Sequence, residues 1–309
     1  MVKRAMLVLT AFSLLAATLM VVFPDSALSH KGCMAWVMAK NKAFALTHPN
    51  APRLAALDPS AKAFADPGGA ESVPVLMYHY IVPAALNLEP GNNSMINLEA
   101  FEAGMDYLYE QGYYTATLEE LEAYVIGERS LPEKTVVLTF DDGYENNIIY
   151  AYPIMKKYGF KGSLFVVGSN IEEQTGEFDP ARKSFLSKQQ MAETVDVFEY
   201  HSHTYDLHFK RELHCGNEYG AGMNEKLLRP DIDKMREIGI DTPYFAYPYG
   251  EFRQQMVYYL RQSGYRMAFT VRQGLVRPGD NPMQLNRLTV TSSSLLSELL
   301  EPSVSWVEG

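Results

Sequence analysis

Strand-like and helix-like apolar patterns alternate along the chain from Val73 to Thr291. For example, the β-rich run from Thr135 to Phe140 is followed by a helical pattern over residues 148–158, which Gly159 ends. Such alternation favours an α/β architecture with parallel strands. Roughly six or seven strand–helix units suit a barrel-like closure as well as an open sheet. We therefore expect residues 73–309 to form one α/β domain.

The first 29 residues have the pattern of an export segment. Lys3 and Arg4 precede an uncharged apolar run from Ala5 to Phe23, and small residues follow at 26–29. This pattern is typical of a cleaved secretory signal, although the run is also long enough for an uncleaved membrane anchor. We predict residues 1–29 as a signal peptide or signal anchor and residues 30–72 as a tether. Both alternatives place the domain outside the cytoplasm, either secreted or anchored at the cell surface, and the anchor implies membrane association through the apolar segment.

Composition and charge exclude several classes of protein. The chain is 47% hydrophobic and 21% charged, which excludes a disordered chain and a coiled coil. Its net charge of −10 argues against a broad nucleic-acid-binding surface. Two cysteines form neither a disulfide scaffold nor a zinc finger, although Cys33 and Cys215 could pair in an oxidising compartment.

Two adjacent carboxylates, Asp141 and Asp142, end the predicted strand that begins at Thr135. Functional side chains of α/β proteins gather at the carboxyl ends of strands. Like charges at such a buried position repel each other, and a divalent cation would relieve that repulsion. The alternative is a strand-end turn, in which Asp and Gly serve turn geometry alone.

A histidine cluster follows another predicted strand, which runs from Val195 to Tyr200. It contains His201, His203 and His208. Two imidazoles with one carboxylate would hold a metal such as zinc and leave coordination positions open for water and substrate. Alternatively, some of these histidines are surface or hydrogen-bonded core residues.

The ends of two further predicted strands give weaker indications of a functional site. His79 follows the apolar run that ends at Tyr78, and a lone histidine at such a position is usually structural. Pro248 and Gly250 flank Tyr249 just after another predicted strand. A rigid Pro–Gly turn could direct a backbone N–H into a cleft, or it could be only a turn.

Three of these segments together resemble a known family. Residues 139–144 (TFDDGY), 202–208 and 246–250 are similar to the polysaccharide deacetylases of carbohydrate esterase family four, the NodB-homology domain. Within that family the chain is most similar to the poly-N-acetylglucosamine deacetylase branch, because it has the Tyr78–His79 pair and places His203 and His208 five residues apart. The resemblance implies a distorted (β/α) barrel with fewer than eight parallel strands.

The resemblance also implies a site and a mechanism. A divalent metal, commonly zinc, would be held by Asp142, His203 and His208. Asp141 would be the general base that takes a proton from the attacking water, and His79 the general acid for the departing amine. The backbone N–H of Tyr249 would stabilise the oxyanion.

The chain departs from the family pattern at two positions. Ala246 stands where many members have an arginine that tethers the base, so we expect a less firmly held Asp141 and slow turnover. His201 stands where glycine is common. In an extended strand His201 and His203 point to the same face, so His201 is an alternative or supporting ligand, or else it has a packing or solvent-facing role.

These features predict hydrolytic N-deacetylation of a β-linked N-acetylglucosamine polymer outside the cytoplasm. The same machinery could instead deacetylate peptidoglycan, chitin or an O-acetylated glycan. A carbohydrate-binding protein on a decayed catalytic fold is the non-enzymatic alternative. In every case the expected partner is a polysaccharide and not a nucleic acid.

Overall fold

The structure, a computed structural model, describes residues 69–213, 216–220 and 225–300 together with Ala39 and Ala43. The predicted export segment, most of the predicted tether, and both Cys33 and Cys215 lie outside the described residues. Within the described part, no helix has the length and apolar character needed to cross a bilayer.

The strands and helices alternate from the start of the described domain. The strands are β1 Val75–Tyr78, β2 Tyr80–Val82, β3 Met95–Asn97, β4 Tyr114–Thr115, β5 Thr135–Asp142, β6 Gly162–Val166, β7 Phe198–Ser202, β8 Lys210–Leu213, β9 Gly216–Tyr219, β10 Tyr244–Ala246, β11 Met267–Phe269 and β12 Leu288–Thr289. The α-helices are α1 Leu98–Glu110, α2 Leu118–Val125, α3 Tyr152–Tyr158, α4 Lys188–Glu193, α5 Glu225–Glu237, α6 Gln254–Gln262 and α7 Leu296–Leu300.

A curled parallel sheet forms the centre of the domain. Its strand order is β11-β10-β7-β6-β5-β1-β12, and β4 branches off to pair with the start of β5. The segment before β12 also pairs with β11, since the Leu285 amide donates to the Ala268 carbonyl oxygen and the Thr270 amide donates to the Leu285 carbonyl oxygen. Residues 285–289 therefore lie between the two edges of the sheet. The curled path has seven strands, and this confirms the expected distorted (β/α) barrel.

The sheet is buried on both faces, as expected for parallel strands covered by helices. Along β5, Leu138 and Phe140 join the cluster that contains α1 and α3 residues, whereas Val137 joins a second cluster with Phe165 and Phe269 from neighbouring strands. Successive side chains of a strand alternate between its faces, so Asp141 lies on the same face as Val137. The strand therefore directs this carboxylate into the interior of the curled sheet.

Two segments, residues 117–120 and 187–190, have the Ser/Thr-x-x-Glu/Gln spacing that predicts a helix start. Thr117 and Glu120 form a capping box at the start of α2, and Ser187 and Gln190 form another at the start of α4. In contrast, Pro230 predicts a helix with this proline in its first turn, because proline is favoured there. This prediction is wrong, because α5 already begins at Glu225.

Two small sheets were not predicted from the sequence. Strands β2 and β3 pair in parallel directly after His79, and β8 and β9 form an antiparallel hairpin directly after the His203–His208 segment. Their strands have only three or four residues each. Such short runs give a weak periodic signal.

Candidate active site

The sequence-predicted site residues meet at the carboxyl ends of four strands. Asp141 and Asp142 end β5, His203 follows β7, His79 follows β1 and Tyr249 follows β10. These five residues and His208 line one open cleft of about 290 Å³. The sheet order brings together strands that are far apart in the chain, as is usual for sites at this end of parallel strands.

Asp142, His203 and His208 form the candidate metal-binding cluster. Their donor atoms all lie within 4.8 Å of one another. The Asp142 Oδ1 atom is 3.5 Å from Nε2 of His203 and 3.2 Å from Nε2 of His208. Donor atoms that share a tetrahedral ion at about 2.1 Å lie about 3.4 Å apart. The cluster therefore fits a zinc-like divalent cation in both donor type and spacing.

The backbone carbonyl of Ala246 orients the first histidine. Nδ1 of His203 lies 2.8 Å from this carbonyl oxygen, so Nδ1 carries the proton and donates it. Nε2 is then the nitrogen with the lone pair, and it is the one that faces Asp142. A histidine ligand is commonly fixed in this way by a hydrogen bond at its other nitrogen.

Arg287 holds Asp141, and sequence reasoning missed this contact. Its two terminal nitrogens donate to the two carboxylate oxygens of Asp141, each at 2.7 Å. Its Nε donates to the carbonyl oxygen of Thr270 at 2.9 Å, and its side chain is fully buried. The expectation that Ala246 leaves Asp141 without an arginine partner is therefore wrong, because the arginine comes from the segment before β12. The available signal was an arginine at the start of the strand-like run of residues 287–291, since an arginine that becomes buried requires an anionic partner.

The two carboxylates are both ionised, for different reasons. Burial opposes the charge of Asp141, but Arg287 outweighs burial and holds its pKa below the usual value. Burial likewise opposes the charge of Asp142, but the neighbouring imidazoles of His203 and His208 hold its pKa well below the usual value. Asp141 is thus a carboxylate that can accept a proton.

His79 lies beside Asp141, just after the end of β1. Its Nε2 is 3.9 Å from Oδ2 of Asp141, and its side chain is 16% exposed to the cleft. Burial lowers the pKa of His79, while the charges of Asp141 and Asp142 act in the opposite direction. Because the imidazole is partly exposed and lines the cleft, it is within reach of a molecule bound there.

Tyr249 lies in a tight turn over the cluster. Its backbone is left-handed, with φ 58° and ψ 12°, and its ring centroid is 4.6 Å from that of His208. The following Gly250 is also left-handed and approaches Val271 so closely that a Cβ would lie 2.8 Å from the Val271 backbone nitrogen. The close approach places the Tyr249 backbone at the wall of the cleft.

His201 does not belong to the described cluster. It points to the same face as His203 but lies deeper, with its ring near Phe165 and Tyr244. Its Nδ1 is 3.0 Å from the Thr242 hydroxyl oxygen. The structure therefore favours the packing alternative for His201.

Backbone strain is concentrated at the site. Among the described residues, the non-glycine residues with positive φ are Asp142, Thr204 and Tyr249. Each such conformation costs on the order of 1–3 kcal/mol and persists only where its surroundings enforce it. Asp142 and Tyr249 line the cleft, and Thr204 lies between His203 and His208.

Comparison with known proteins gives consistent matches. Residues 128–268 match the sequence pattern of the family described as polysaccharide deacetylase. Over 220 residues the chain is 28% identical to YxkH of Bacillus subtilis (strain 168), which is classed provisionally as a polysaccharide deacetylase, and the match covers 71% of each chain.

Two further matches concern a named polymer deacetylase and a solved structure. The chain is 26% identical over 244 residues to the poly-β-1,6-N-acetyl-D-glucosamine N-deacetylase of Escherichia coli (strain K12), covering 68% of this chain but only 36% of that protein. The solved structure of IcaB from Ammonifex degensii superposes with a TM-score of 0.62 at 29% identity, covering 75% of this chain and 97% of IcaB.

Proposed function

Because the chain contains a polysaccharide deacetylase domain, we propose that it removes acetyl groups from a β-linked N-acetylglucosamine polymer outside the cytoplasm. One observation carries this proposal: the Asp142–His203–His208 cluster and the arginine-held Asp141 line the same open cleft. Hydrolysis of an amide needs an electrophile for the carbonyl oxygen and a base for water, and the cleft offers a place for both.

The choice of polymer rests on two supports. The Escherichia coli relative is named for poly-β-1,6-N-acetyl-D-glucosamine, and the Tyr78–His79 pair is similar to that branch of the family. The cleft is also open to solvent, and the 42% exposed Tyr249 lies at its wall. Sugar rings have apolar faces that contact aromatic side chains favourably.

The cluster is where a divalent metal, most often zinc with such ligands, would be held. When bound, the metal would supply a Lewis acid for the acetamide oxygen and lower the pKa of a water molecule. Asp142, His203 and His208 would hold it, and the hydrogen bond from His203 to Ala246 keeps Nε2 of His203 directed toward the cluster.

Asp141 acts as the general base and His79 as the general acid. Asp141 takes a proton from the water that attacks the carbonyl carbon, and Arg287 keeps that carboxylate ionised and in place. His79 then donates a proton to the nitrogen as the carbon–nitrogen bond breaks, because an unprotonated amine is a poor leaving group. The backbone N–H of Tyr249 donates to the oxyanion, and the products are acetate and a free amine.

The decisive experiment measures acetate release from N-acetylglucosamine oligomers by the purified chain, first after chelation and then with zinc restored. We expect restored release for the wild type and none for Asp142→Ala, which also loses zinc binding. Asp241→Ala is the matched control, because Asp241 is an exposed carboxylate just before β10, at the opposite end of the sheet.

The alternatives are distinguished by the same assay. Release from peptidoglycan, chitin or acetylated xylan, but not from poly-N-acetylglucosamine, would keep the chemistry and change the substrate. If a folded, zinc-loaded chain released acetate from none of these, a carbohydrate-binding role would replace the enzymatic proposal.

A further inference from the structure

We propose that Asp231, on helix α5, is a positioning residue that fixes the segment between the two histidine ligands and thereby sets the metal affinity of the cluster. This inference rests on the proposed metal-dependent function. It concerns a residue outside every motif that the sequence analysis singled out.

The contact of Asp231 with this segment is direct. One of its carboxylate oxygens accepts a hydrogen bond from the backbone N–H of Tyr205, and the other accepts one from the backbone N–H of Asp206, each at 2.8 Å. The Asp231 side chain is buried, with 6% of the residue exposed. A single carboxylate thus binds two consecutive amides in the five-residue interval that separates His203 from His208.

The segment needs an external partner because its own backbone is strained. Thr204 has φ 75°, which a β-branched residue rarely adopts. Its buried hydroxyl has no hydrogen-bond partner among the described residues. The Thr204 amide donates to the nearby Ser202 hydroxyl oxygen at 3.3 Å, but the hydroxyl of Thr204 adds no local support. Contacts from elsewhere in the fold therefore help to maintain this conformation.

The opposite side of the segment is held by the loop after β6. The Gly168 amide donates to the Thr204 carbonyl oxygen at 3.0 Å, and the Ser169 amide donates to the Tyr205 carbonyl oxygen at 2.7 Å. The segment is therefore fixed between this loop and Asp231. Removal of Asp231 would leave the two amides without their acceptor on the α5 side.

Helix α5 is close-packed where it meets this segment. A Cβ on Gly168 would lie 2.6 Å from the Met235 sulfur and 2.7 Å from the Tyr205 ring. The Lys234 ammonium lies 4.9 Å from the centre of the Tyr205 ring. The segment between His203 and His208 therefore has little room to move toward α5 and form other hydrogen bonds.

The position of His208 depends on this segment more than that of His203 does. His203 is 2% exposed and is held by the Ala246 carbonyl, whereas His208 is 21% exposed and follows the strained segment. The separation of the two Nε2 atoms therefore depends on the path of residues 204–207. Asp231 fixes that path through the amides of Tyr205 and Asp206.

The test compares zinc affinity among full-length variants by competition with a chromophoric chelator, and it also records the visible absorption of the cobalt(II)-loaded proteins. Loss of a supporting partner typically weakens metal binding by about 10–100-fold, and we expect that loss for Asp231→Ala. Asp231→Asn retains one acceptor oxygen and should give a smaller loss. Asp233→Asn is the matched control on the same helix, because Asp233 is 67% exposed.

The outcomes separate this inference from the proposed function. If the wild type binds zinc and a folded Asp231→Ala protein binds it equally well with an unchanged cobalt spectrum, the positioning role is overturned. If Asp231→Ala fails to fold, Asp231→Asn decides by the same two measurements. If the wild type itself binds no divalent metal, both the metal-dependent function and this inference are overturned, whereas zinc binding without acetate release contradicts only the function.

Discussion

At the scale of single residues, the site is built on paired charges that burial would otherwise exclude. Asp141 is ionised inside the curled sheet because the fully buried Arg287 gives it two parallel hydrogen bonds. A buried ion pair is not strong evidence of net stabilisation, since desolvation offsets much of its attraction. The role of this pair is geometric, because the two parallel hydrogen bonds from Arg287 fix the plane of the Asp141 carboxylate, which faces His79.

Removal of one member of the Arg287–Asp141 pair should destabilise the folded protein. We expect Arg287→Ala to lower the free energy of unfolding by about 3–5 kcal/mol, because Asp141 is left as an uncompensated buried charge. Lys188→Ala is the control, since Lys188 pairs with Glu173 on the exposed surface and such pairs contribute about 0–1 kcal/mol. Urea unfolding of the two variants gives the comparison, and equal losses would contradict the assigned role of Arg287.

At the scale of elements, turns at strand ends place backbone as well as side chains in the cleft. The turn Pro248–Gly250 follows β10, and the ring of its left-handed Tyr249 contacts that of His208 in a tilted arrangement. The turn is possible because Gly250 has no Cβ where the chain meets the Val271 backbone. A packing requirement at one glycine thus positions the proposed oxyanion donor.

Gly250→Ala tests this requirement. An alanine must adopt φ 71° and also displace Val271, so we expect a loss of about 2–4 kcal/mol in unfolding free energy and a fall in kcat. Gly112→Ala separates the two causes, because Gly112 has φ 72° but open space around it, and only about 1 kcal/mol should be lost. Denaturant unfolding and acetate release measure both effects; similar losses for the two variants would show that close packing at Gly250 is unimportant.

At the scale of the whole molecule, stability and site geometry depend on the same buried carboxylate. Burial raises the pKa of Asp231 to about 6, although the amides of Tyr205 and Asp206 oppose that rise. The nearby Asp206 carboxylate also raises this pKa, and Lys234 lowers it. Folding therefore favours the protonated form of Asp231 relative to the unfolded chain.

This shift predicts the sign of a pH dependence. Between about pH 4 and pH 6 the folded state binds more protons at Asp231 than the unfolded state does, so its contribution to stability falls as pH rises. The contribution is complete below pH 3.8 and lost above about pH 6, a change of about 3 kcal/mol.

Asp231→Asn removes this titration. We therefore expect the difference in unfolding free energy between the wild type and Asp231→Asn to change by about 3 kcal/mol across that interval, in favour of the variant at higher pH. Urea unfolding at several pH values measures the difference. A difference that stays constant with pH would contradict the raised pKa.

The parts of the fold and site that could be predicted are those whose signals are local. The capping boxes at Thr117 and Ser187 each span four residues, and both are found. Strand alternation predicted the parallel α/β architecture, because periodicity reflects burial on the same element. The start of α5 was misplaced because a proline signal is ambiguous when tertiary contacts support an earlier helical turn.

The sequence by itself determined which chemistry-bearing residues stand at or soon after the strand ends: Asp141, Asp142, His79, His203 and His208. Only the tertiary structure decided which groups hold them. Arg287 lies 146 positions from Asp141, the Ala246 carbonyl lies 43 positions from His203, and Asp231 lies 25 and 26 positions from the amides it binds. These contacts exist because the sheet order places β5 beside β1, and β10 beside β7, and because residues 285–289 lie between the sheet edges. A sequence window records the preferences of neighbouring residues, whereas the partner of a buried charge is set by the path of the whole chain.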